Sequence, residues 1–362
     1  MSRKICLVGG EDVHKRIQLS QYLIDAGFDV TIIGTSKQSF PDNVTYVNYN
    51  LKRNLSPIND YKTIVWYRDF FNRNHFDLIH TFDTKPAFLV PLALKNTNTP
   101  ITRTITGLGT IFMSKSVLST GLRFIYKYLH KKVKARVYTT IFQNLDDRDV
   151  YLNNGLISKP NYKLIYSSGI ELKDFNDRAL RKNNPFKFIC VARVVYEKGI
   201  INLLEASEKC KTLGYHFKVL LVGPIEENTK RLNKDILDEY KDVVTVLGER
   251  QDVLELLLKS DAFVLPTFRE GFSRVLLEAA AIGLPIISTN VTGVRDFVRH
   301  NQEAILIEPK DSEGLSQAMI TIATNKDLSN KLVENALKRV EQFSLENVSK
   351  QYITIFEDAI NN

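Results

Sequence analysis

Pro266-Thr-Phe-Arg-Glu270-Gly-Phe-Ser-Arg-Val-Leu-Leu-Glu278 follows directly on the apolar run Ala262-Phe-Val-Leu265 and leads into Ala279-Ala-Ala-Ile-Gly-Leu-Pro285. The reading of this stretch decides the fold. A buried strand ends near Leu265. The loop after it has backbone freedom at Gly271, and a helix begins at Arg274 with Ser273 as its N-cap. The free N–H groups and positive dipole end of such a helix make a site for a diphosphate, with Gly271, Phe272, Ser273 and Arg274 around it. Glu270 stands in the loop. Glu278 stands about one turn into the helix, where a carboxylate can accept two hydrogen bonds from a ribose diol. Either glutamate alone would read as a solvated side chain; the ordered set after a buried strand favours the ligand reading.

Working outward, the same strand–loop–helix unit recurs. Lys4–Gly9 reads as a strand, followed by a helical pattern through Ile17, Leu19, Leu23 and Ile24 that Gly27 ends; Val30–Ile33 is the next strand. Asp77–His80, a helix over Ala87–Leu94 and a strand over Ile101–Ile105 continue the series. After a polar stretch, Arg178–Pro185, the pattern restarts with Phe186–Ala192, Val219–Gly223, Val243–Leu247, Ala262–Leu265 and Pro285–Ser288. This alternation argues for an α/β protein with two parallel-sheet domains. The expected boundaries are 1–178, 179–345 and a terminal helix, 346–362, packing back toward the first domain. Open parallel sheets bind ligands outside the carboxyl ends of their strands, so the expected site lies in a cleft between the two sheets.

The chain has 362 residues, 44% hydrophobic and 25% charged, which suits two ordinary cores. Cys6, Cys190 and Cys210 are scattered and read as buried small hydrophobes. The N-terminus has no signal-peptide anatomy and no run reaches the length of a membrane span, so the expected location is cytoplasmic. The net charge of +8 is one-sided. Residues 1–180 carry 25 − 15 = +10, and residues 181–362 carry 24 − 26 = −2. Nothing acidic lies in the 62 residues 84–145. An anionic partner for the N-terminal half follows: phosphates, an acidic membrane surface or nucleic acid.

Ala192-Arg193-Val-Val-Tyr-Glu-Lys198-Gly199 supplies two cations five residues apart across a strand end, a loop and a helix start. Both can neutralise charge that grows on a leaving diphosphate. Taken with Glu270, the seven residues Gly271–Leu277 and Glu278, this segment resembles the E-x7-E signature of glycosyltransferase family 4, retaining enzymes of the two-domain GT-B fold. Leu221-Val-Gly223-Pro, Leu247-Gly-Glu-Arg250-Gln-Asp252 and Ile165-Tyr-Ser-Ser-Gly169-Ile extend the resemblance, with Ser168 where Asn is usual. The resemblance implies that Glu270 hydrogen-bonds the transferred sugar, Glu278 holds the ribose and Arg193 and Lys198 clamp the diphosphate. It also implies that Arg250 lies beside the base, near Gly223, and that Val275 and Leu276 offer N–H groups to the distal phosphate. Gly9-Gly10 would let the backbone approach the phosphates or the acceptor.

One departure bears on the acceptor. Many members of the family place His-Gly after the strand corresponding to Ile101–Ile105; here the pair is Thr106-Gly107. A threonine hydroxyl is no general base at neutral pH. The Thr-Gly-Leu-Gly-x-x-Phe form resembles a bacterial branch acting on undecaprenyl-diphosphate-linked saccharides. In that case the leaving phosphate takes the acceptor's proton. Thr106, Gly107, His80 and Arg103 are the acceptor-side candidates. Asp147-Arg148-Asp149 has the D-x-D form of metal-dependent transferases, but it opens a helix, where acids suit the dipole. The six histidines show no metal spacing, and no metal or other cofactor is expected.

Phe112–Arg136 alternates apolar and basic residues at helical spacing, with Val117, Leu118, Leu122, Ile125, Tyr128 and Leu129 as a candidate face. Such a helix over 115–136 suits an anionic membrane surface. The expected protein is a hexosyltransferase at the inner face of the plasma membrane. It would use a nucleotide sugar, UDP-linked, and a lipid-linked saccharide in capsule, O-antigen or glycan assembly. Two other readings stand beside it: a sugar-nucleotide epimerase of the same fold, and a basic nucleic-acid-binding protein. The second lacks any nucleic-acid-recognition signature, so nucleic acid is not an expected partner.

Overall fold

A computed structural model describes residues 2–52, 56–108, 117–157, 161–175, 183–226 and 232–362. It divides into two compact units, residues 1–167 with 345–362, and residues 168–344.

Unit 1 runs β1 (Arg3–Val8), α1 (Ile17–Asp25), β2 (Phe28–Gly34), β3 (Thr45–Asn48), α2 (Pro57–Arg73), β4 (Leu78–Thr81), α3 (Pro86–Ala93), β5 (Ile101–Ile105), α4 (Val117–Val133), β6 (Thr139–Phe142), α5 (Leu145–Asn153) and β7 (Tyr162–Leu164). Its seven strands are all parallel, in the order β3-β2-β1-β4-β5-β6-β7. Unit 2 runs β8 (Lys187–Val191), α6 (Ile200–Thr212), β9 (Lys218–Val222), α7 (Lys234–Glu239), β10 (Val244–Gly248), α8 (Val253–Leu258), β11 (Ala262–Leu265), α9 (Arg274–Ala281), β12 (Ile286–Thr289), β13 (Ile305–Ile307), α10 (Ser312–Thr324) and α11 (Lys326–Val340). Its six strands are also parallel, in the order β10-β9-β8-β11-β12-β13. The last helix, α12 (Leu345–Asn361), returns to unit 1.

Both orders reverse direction beside their first strand, between β1 and β4 and between β8 and β11. Loops leaving these paired strands diverge at the carboxyl edge, and that is where open α/β sheets take ligands. The strands are apolar because helices cover both faces: Ile5, Leu7, Val8 and, in unit 2, Phe263, Val264 and Leu265 have almost no exposed surface. Leu345, Val348, Tyr352, Phe356 and Ala359 of α12 join the core that α1 forms with β1, β2 and β4.

The division falls between Ser167 and Ser168, before the polar stretch that marks the linker in the sequence. Residues 168–175 belong to unit 2 because Ile170 is buried, its N–H donates to Phe343 O (3.2 Å), and Phe175 is buried as well. Part of the expected linker, 176–182, lies outside the described residues.

Candidate functional site

In unit 2 the residues singled out in the sequence come from the carboxyl ends of β8, β9, β10 and β11. Gly199 and Gly223 set the geometry there. Gly199 has φ +69°, and a Cβ on it would stand 1.8 Å from Pro266 O. Gly223 has φ +146°, and a Cβ would stand 1.9 Å from Ala192 O. No other residue type fits either position, so the segments after β8, β9 and β11 are held in backbone contact. Phe268 N–H donates to Glu197 O (2.9 Å), and the Thr267 hydroxyl donates to Arg269 O (3.1 Å).

This packing brings together two residues 72 apart in sequence. The Lys198 ammonium and the Glu270 carboxylate form a largely buried ion pair at the point where the strand order reverses. Glu270 is also fixed through its backbone, whose N–H donates to Thr292 O (3.2 Å). Gly293, at φ +77°, passes under the loop, and a Cβ there would stand 2.6 Å from Glu270 O. Thr292 and Gly293 are supporting residues that the sequence reading missed; their signal was a Thr-Gly pair in the loop after a strand.

Helix α9 starts at Arg274 with Ser273 in the N-cap position, but the Ser273 side chain makes no capping hydrogen bond. The expected cap is therefore positional only. The N–H groups of Arg274, Val275 and Leu276 belong to the first turn and have no intrahelical acceptor. Glu278 is held by Arg274, Nε to Oε1 at 3.0 Å, one turn apart. Phe272 stacks on Phe343 with ring centres 5.5 Å apart, which anchors the loop from behind. The other two cations have exposed partners: Arg193 pairs with Glu226, and Arg250 forms a two-point pair with Asp252 (2.8 and 2.7 Å).

In unit 1 the corresponding reversal joins Gly10 to Asp83, whose Oδ2 accepts from the Gly10 N–H at 2.9 Å. Asp83 holds φ +68°, a strained value for a residue with a side chain. It is a third residue the sequence reading missed. Thr106 and Gly107 lie at the carboxyl end of β5, half-buried, with Gly107 at φ +149°.

His80 and Arg103 do not belong to an acceptor site. Strand alternation turns His80 inward, where Nδ1 and Nε2 lie 2.7 and 2.9 Å from the hydroxyls of Thr102 and Thr104. It is fully buried beneath Tyr352 and Phe356 of α12. Burial, and then the charge of Arg16, pushes its pKa well below the usual histidine value. Arg103 points to the opposite face and is fully buried too. It donates to Thr140 Oγ1 (3.0 Å), Ala87 O (3.2 Å), His130 Nδ1 (2.9 Å) and Leu156 O (3.3 Å). Both residues tie strands to helices, and no substrate reaches them.

Asp147 of the D-x-D sequence is buried in the first turn of α5, where it bonds Asn144. Among the described residues no group of three or more His, Cys, Asp or Glu is placed to hold a metal ion, and no helix is long and apolar enough to cross a membrane.

Helix α4 departs from its expected single apolar face. Tyr126, His130 and Val133 are buried, with Leu122 and Leu129 half-buried beside them. Phe124, Tyr128 and Ile125 point outward, 73%, 53% and 41% exposed. Lys127, Lys131 and Lys132 flank them, and Lys132 lies over the Tyr128 ring at 5.4 Å. Arg136 is occupied elsewhere, on Leu94 O, Thr97 Oγ1 and Thr99 O. Lys115, and the side chains of Val117 and Leu118, lie outside the described residues.

Two family models account for most of the chain. One, Glycosyl transferases group 1, matches residues 173–339, and the other, Glycosyltransferase Family 4, matches residues 17–143. The chain belongs to glycosyltransferase family 4. Among similar proteins, the capsular polysaccharide biosynthesis glycosyltransferase CapM of Staphylococcus aureus is 24% identical over 361 residues, covering 94% of this chain and 93% of CapM. The UDP-Gal:alpha-D-GlcNAc-diphosphoundecaprenol alpha-1,3-galactosyltransferase of Escherichia coli is 26% identical over 360 residues, 91% of each chain. The solved sucrose-phosphate synthase of Thermosynechococcus elongatus superposes with a TM-score of 0.82 at 20% identity, covering 98% of both chains. The family-4 chain thus has the GT-B fold class, two Rossmann-like parallel-sheet units, and is a glycosyltransferase.

Proposed function

We propose that this family-4 protein is a retaining, metal-independent transferase. It moves a hexose or N-acetylhexosamine from a UDP-linked donor to a saccharide carried on undecaprenyl diphosphate, in capsule, O-antigen or glycan assembly. The observation that carries the reading is the Lys198–Glu270 pair beside the free N-terminus of α9. A cation and a row of N–H groups suit the diphosphate, and the adjacent carboxylate suits sugar hydroxyls. The E. coli relative, whose name states a UDP-sugar donor and a diphosphoundecaprenol acceptor, supports the substrate classes.

In this reading the donor diphosphate lies on the first turn of α9, with Lys198 and Arg193 across it. Glu270 fixes the sugar, Glu278 exchanges Arg274 for the ribose diol, and Arg250 stands by the base. As the bond from the anomeric carbon to the diphosphate oxygen breaks, charge grows on the leaving group, and the cations and N–H groups stabilise it. The acceptor hydroxyl attacks the same face and its proton passes to the departing phosphate oxygen. Nucleoside diphosphate and the extended saccharide are the products. Thr106, in the place of a histidine, takes no proton in this scheme. The cations do the charge neutralisation a metal would otherwise provide. The exposed Phe124, Ile125 and Tyr128, with their lysines, suit an anionic lipid surface at which the acceptor is presented.

The test is transfer from a panel of UDP-sugars to undecaprenyl-diphosphate-linked saccharides, with and without EDTA, and determination of the anomeric configuration by NMR. Inversion, a requirement for divalent metal, or donor turnover with no dependence on any lipid-linked acceptor would each overturn the corresponding part.

A further inference from the structure

Two cations at the carboxyl edge of unit 1 are engaged in ion pairs. Lys85 is paired with Asp60 at 2.6 Å and Lys15 with Asp12 at 2.7 Å. Arg16 differs. It closes the short 3-10 turn Glu11–Arg16 that follows Gly9-Gly10, and it is only partly exposed. Its guanidinium carbon lies 4.3 Å from the centre of the Phe82 ring. Among the described residues it has no carboxylate partner and donates no hydrogen bond.

A partly buried guanidinium without an anion is costly unless something compensates it. Stacking on Phe82 uses the flat face of the group and leaves its in-plane N–H fork unused. That fork matches the oxygens of a phosphate. Its position is also informative. Phe82 follows β4 at the carboxyl edge, where its N–H donates to Val8 O (2.8 Å). It packs on the sheet face that carries His80, Thr102 and Thr104. Thr106 follows immediately after β5, two residues beyond Thr104. Arg16, on Phe82, and Thr106 thus lie at the same carboxyl edge of unit 1. Burial lowers the pKa of His80 and raises that of Tyr352, and the charge of Arg16, close enough to reach both, pulls each downward.

We propose that Arg16 is the residue of unit 1 that grips a phosphate of the acceptor, namely the diphosphate of a lipid-linked saccharide. The inference rests on the acceptor reading given above.

The experiment compares two acceptors with the same sugar, a short-chain polyprenyl-diphosphate-linked N-acetylhexosamine and the neutral alkyl glycoside of that N-acetylhexosamine, in the unaltered protein and in Arg16→Met and Arg16→Lys. Arg16→Met is expected to raise KM for the diphosphate acceptor about tenfold or more, the size of a lost charge-assisted contact. KM for the alkyl glycoside and for the UDP-sugar should stay within about twofold. Arg16→Lys keeps the charge and loses the fork, so about a threefold rise confined to the diphosphate acceptor is expected. If Arg16→Met fails to fold, this variant decides the matter. Equal losses on both acceptors, a raised donor KM, or no change would overturn the role of Arg16 and leave the acceptor reading standing. Absence of transfer to either acceptor by the unaltered protein would overturn the acceptor reading, and the proposal with it.

Discussion

The ammonium of Lys198 and the carboxylate of Glu270 meet at the one place in unit 2 where strand order reverses, although 72 residues separate them. Neither is part of the other's local structure. One closes a 3-10 turn after β8, and the other sits in the loop after β11. Replacing either is expected to act on the transfer step. Lys198→Met should lower kcat by about 100-fold or more, as the loss of a charge that stabilises a leaving group does. Glu270→Gln should act to a similar extent. The double variant should lose far less than the product of the single losses, because the pair works as a unit. Steady-state kinetics of the three proteins is the check; simple multiplicativity would contradict it.

Gly199→Ala addresses the scaffold that makes this meeting possible. The added Cβ would overlap Pro266 O and would have to adopt a left-handed backbone. A loss of stability above about 2 kcal/mol is expected from strain of this kind, together with loss of activity as β8 and β11 separate at their ends. Urea unfolding of the variant measures the first, and a transfer assay the second.

Arg103→Met is expected to destabilise unit 1 by about 3 kcal/mol or more. It would leave the carbonyls of Ala87 and Leu156 and the hydroxyl of Thr140 without this donor in a buried site. The protein that remains folded should show an unchanged acceptor KM. A raised acceptor KM with unchanged stability would return Arg103 to the substrate side.

His80 and His130 give the protein an acid limit. Burial depresses both pKa values well below the ordinary 6.5, helped by Arg16 and Arg103 respectively. Below about pH 6.5 the unfolded chain binds protons at these positions that the folded chain refuses, so stability falls as pH drops. It is fully present above that value. Each histidine contributes a slope of up to about 1.4 kcal/mol per pH unit. Unfolding measured from roughly pH 7.5 down to pH 5 should show this slope, and His80→Gln should reduce it, leaving the part due to His130. A flat profile would contradict the neutral-histidine reading.

The outward stripe of α4 is tested with vesicles. Phe124→Ser with Tyr128→Ser, and separately Lys131→Glu with Lys132→Glu, should reduce sedimentation with anionic phosphatidylglycerol vesicles. Salt should weaken the unaltered protein's binding. Binding to neutral vesicles that equals binding to anionic ones would remove the electrostatic part.

Much of this architecture is legible in the sequence, for a physical reason. Runs such as Ala262–Leu265 and Ile5–Val8 are apolar on both faces because helices cover both, so they stand out without any knowledge of pairing. Glu270 and Glu278 are legible because they flank a helix start, and a helix start is a local signal. Arg103 and His80 were misread because the face toward which a strand residue points depends on which helices cover the sheet. The segment 168–175 was misassigned because polar composition marks a linker, whereas the bond from Ile170 to Phe343 is long-range. Arg16 was passed over because its interest lies in what it lacks, an anionic partner, and a sequence does not show that.

The return of α12 to unit 1 sets an order of events during synthesis. The Tyr352 hydroxyl lies 3.0 Å from that of Thr104, and Arg3 donates to Asn361 Oδ1 at 3.0 Å, so the first strand is finished off by a helix made after all of unit 2. Unit 2, by contrast, is one uninterrupted run, 168–344. On the ribosome, unit 2 can close while the layer over His80 and Phe82 is still bare. The nascent chain therefore carries an open apolar surface for as long as residues 168–344 take to be made, and a chaperone that recognises such surfaces has that interval to act on unit 1.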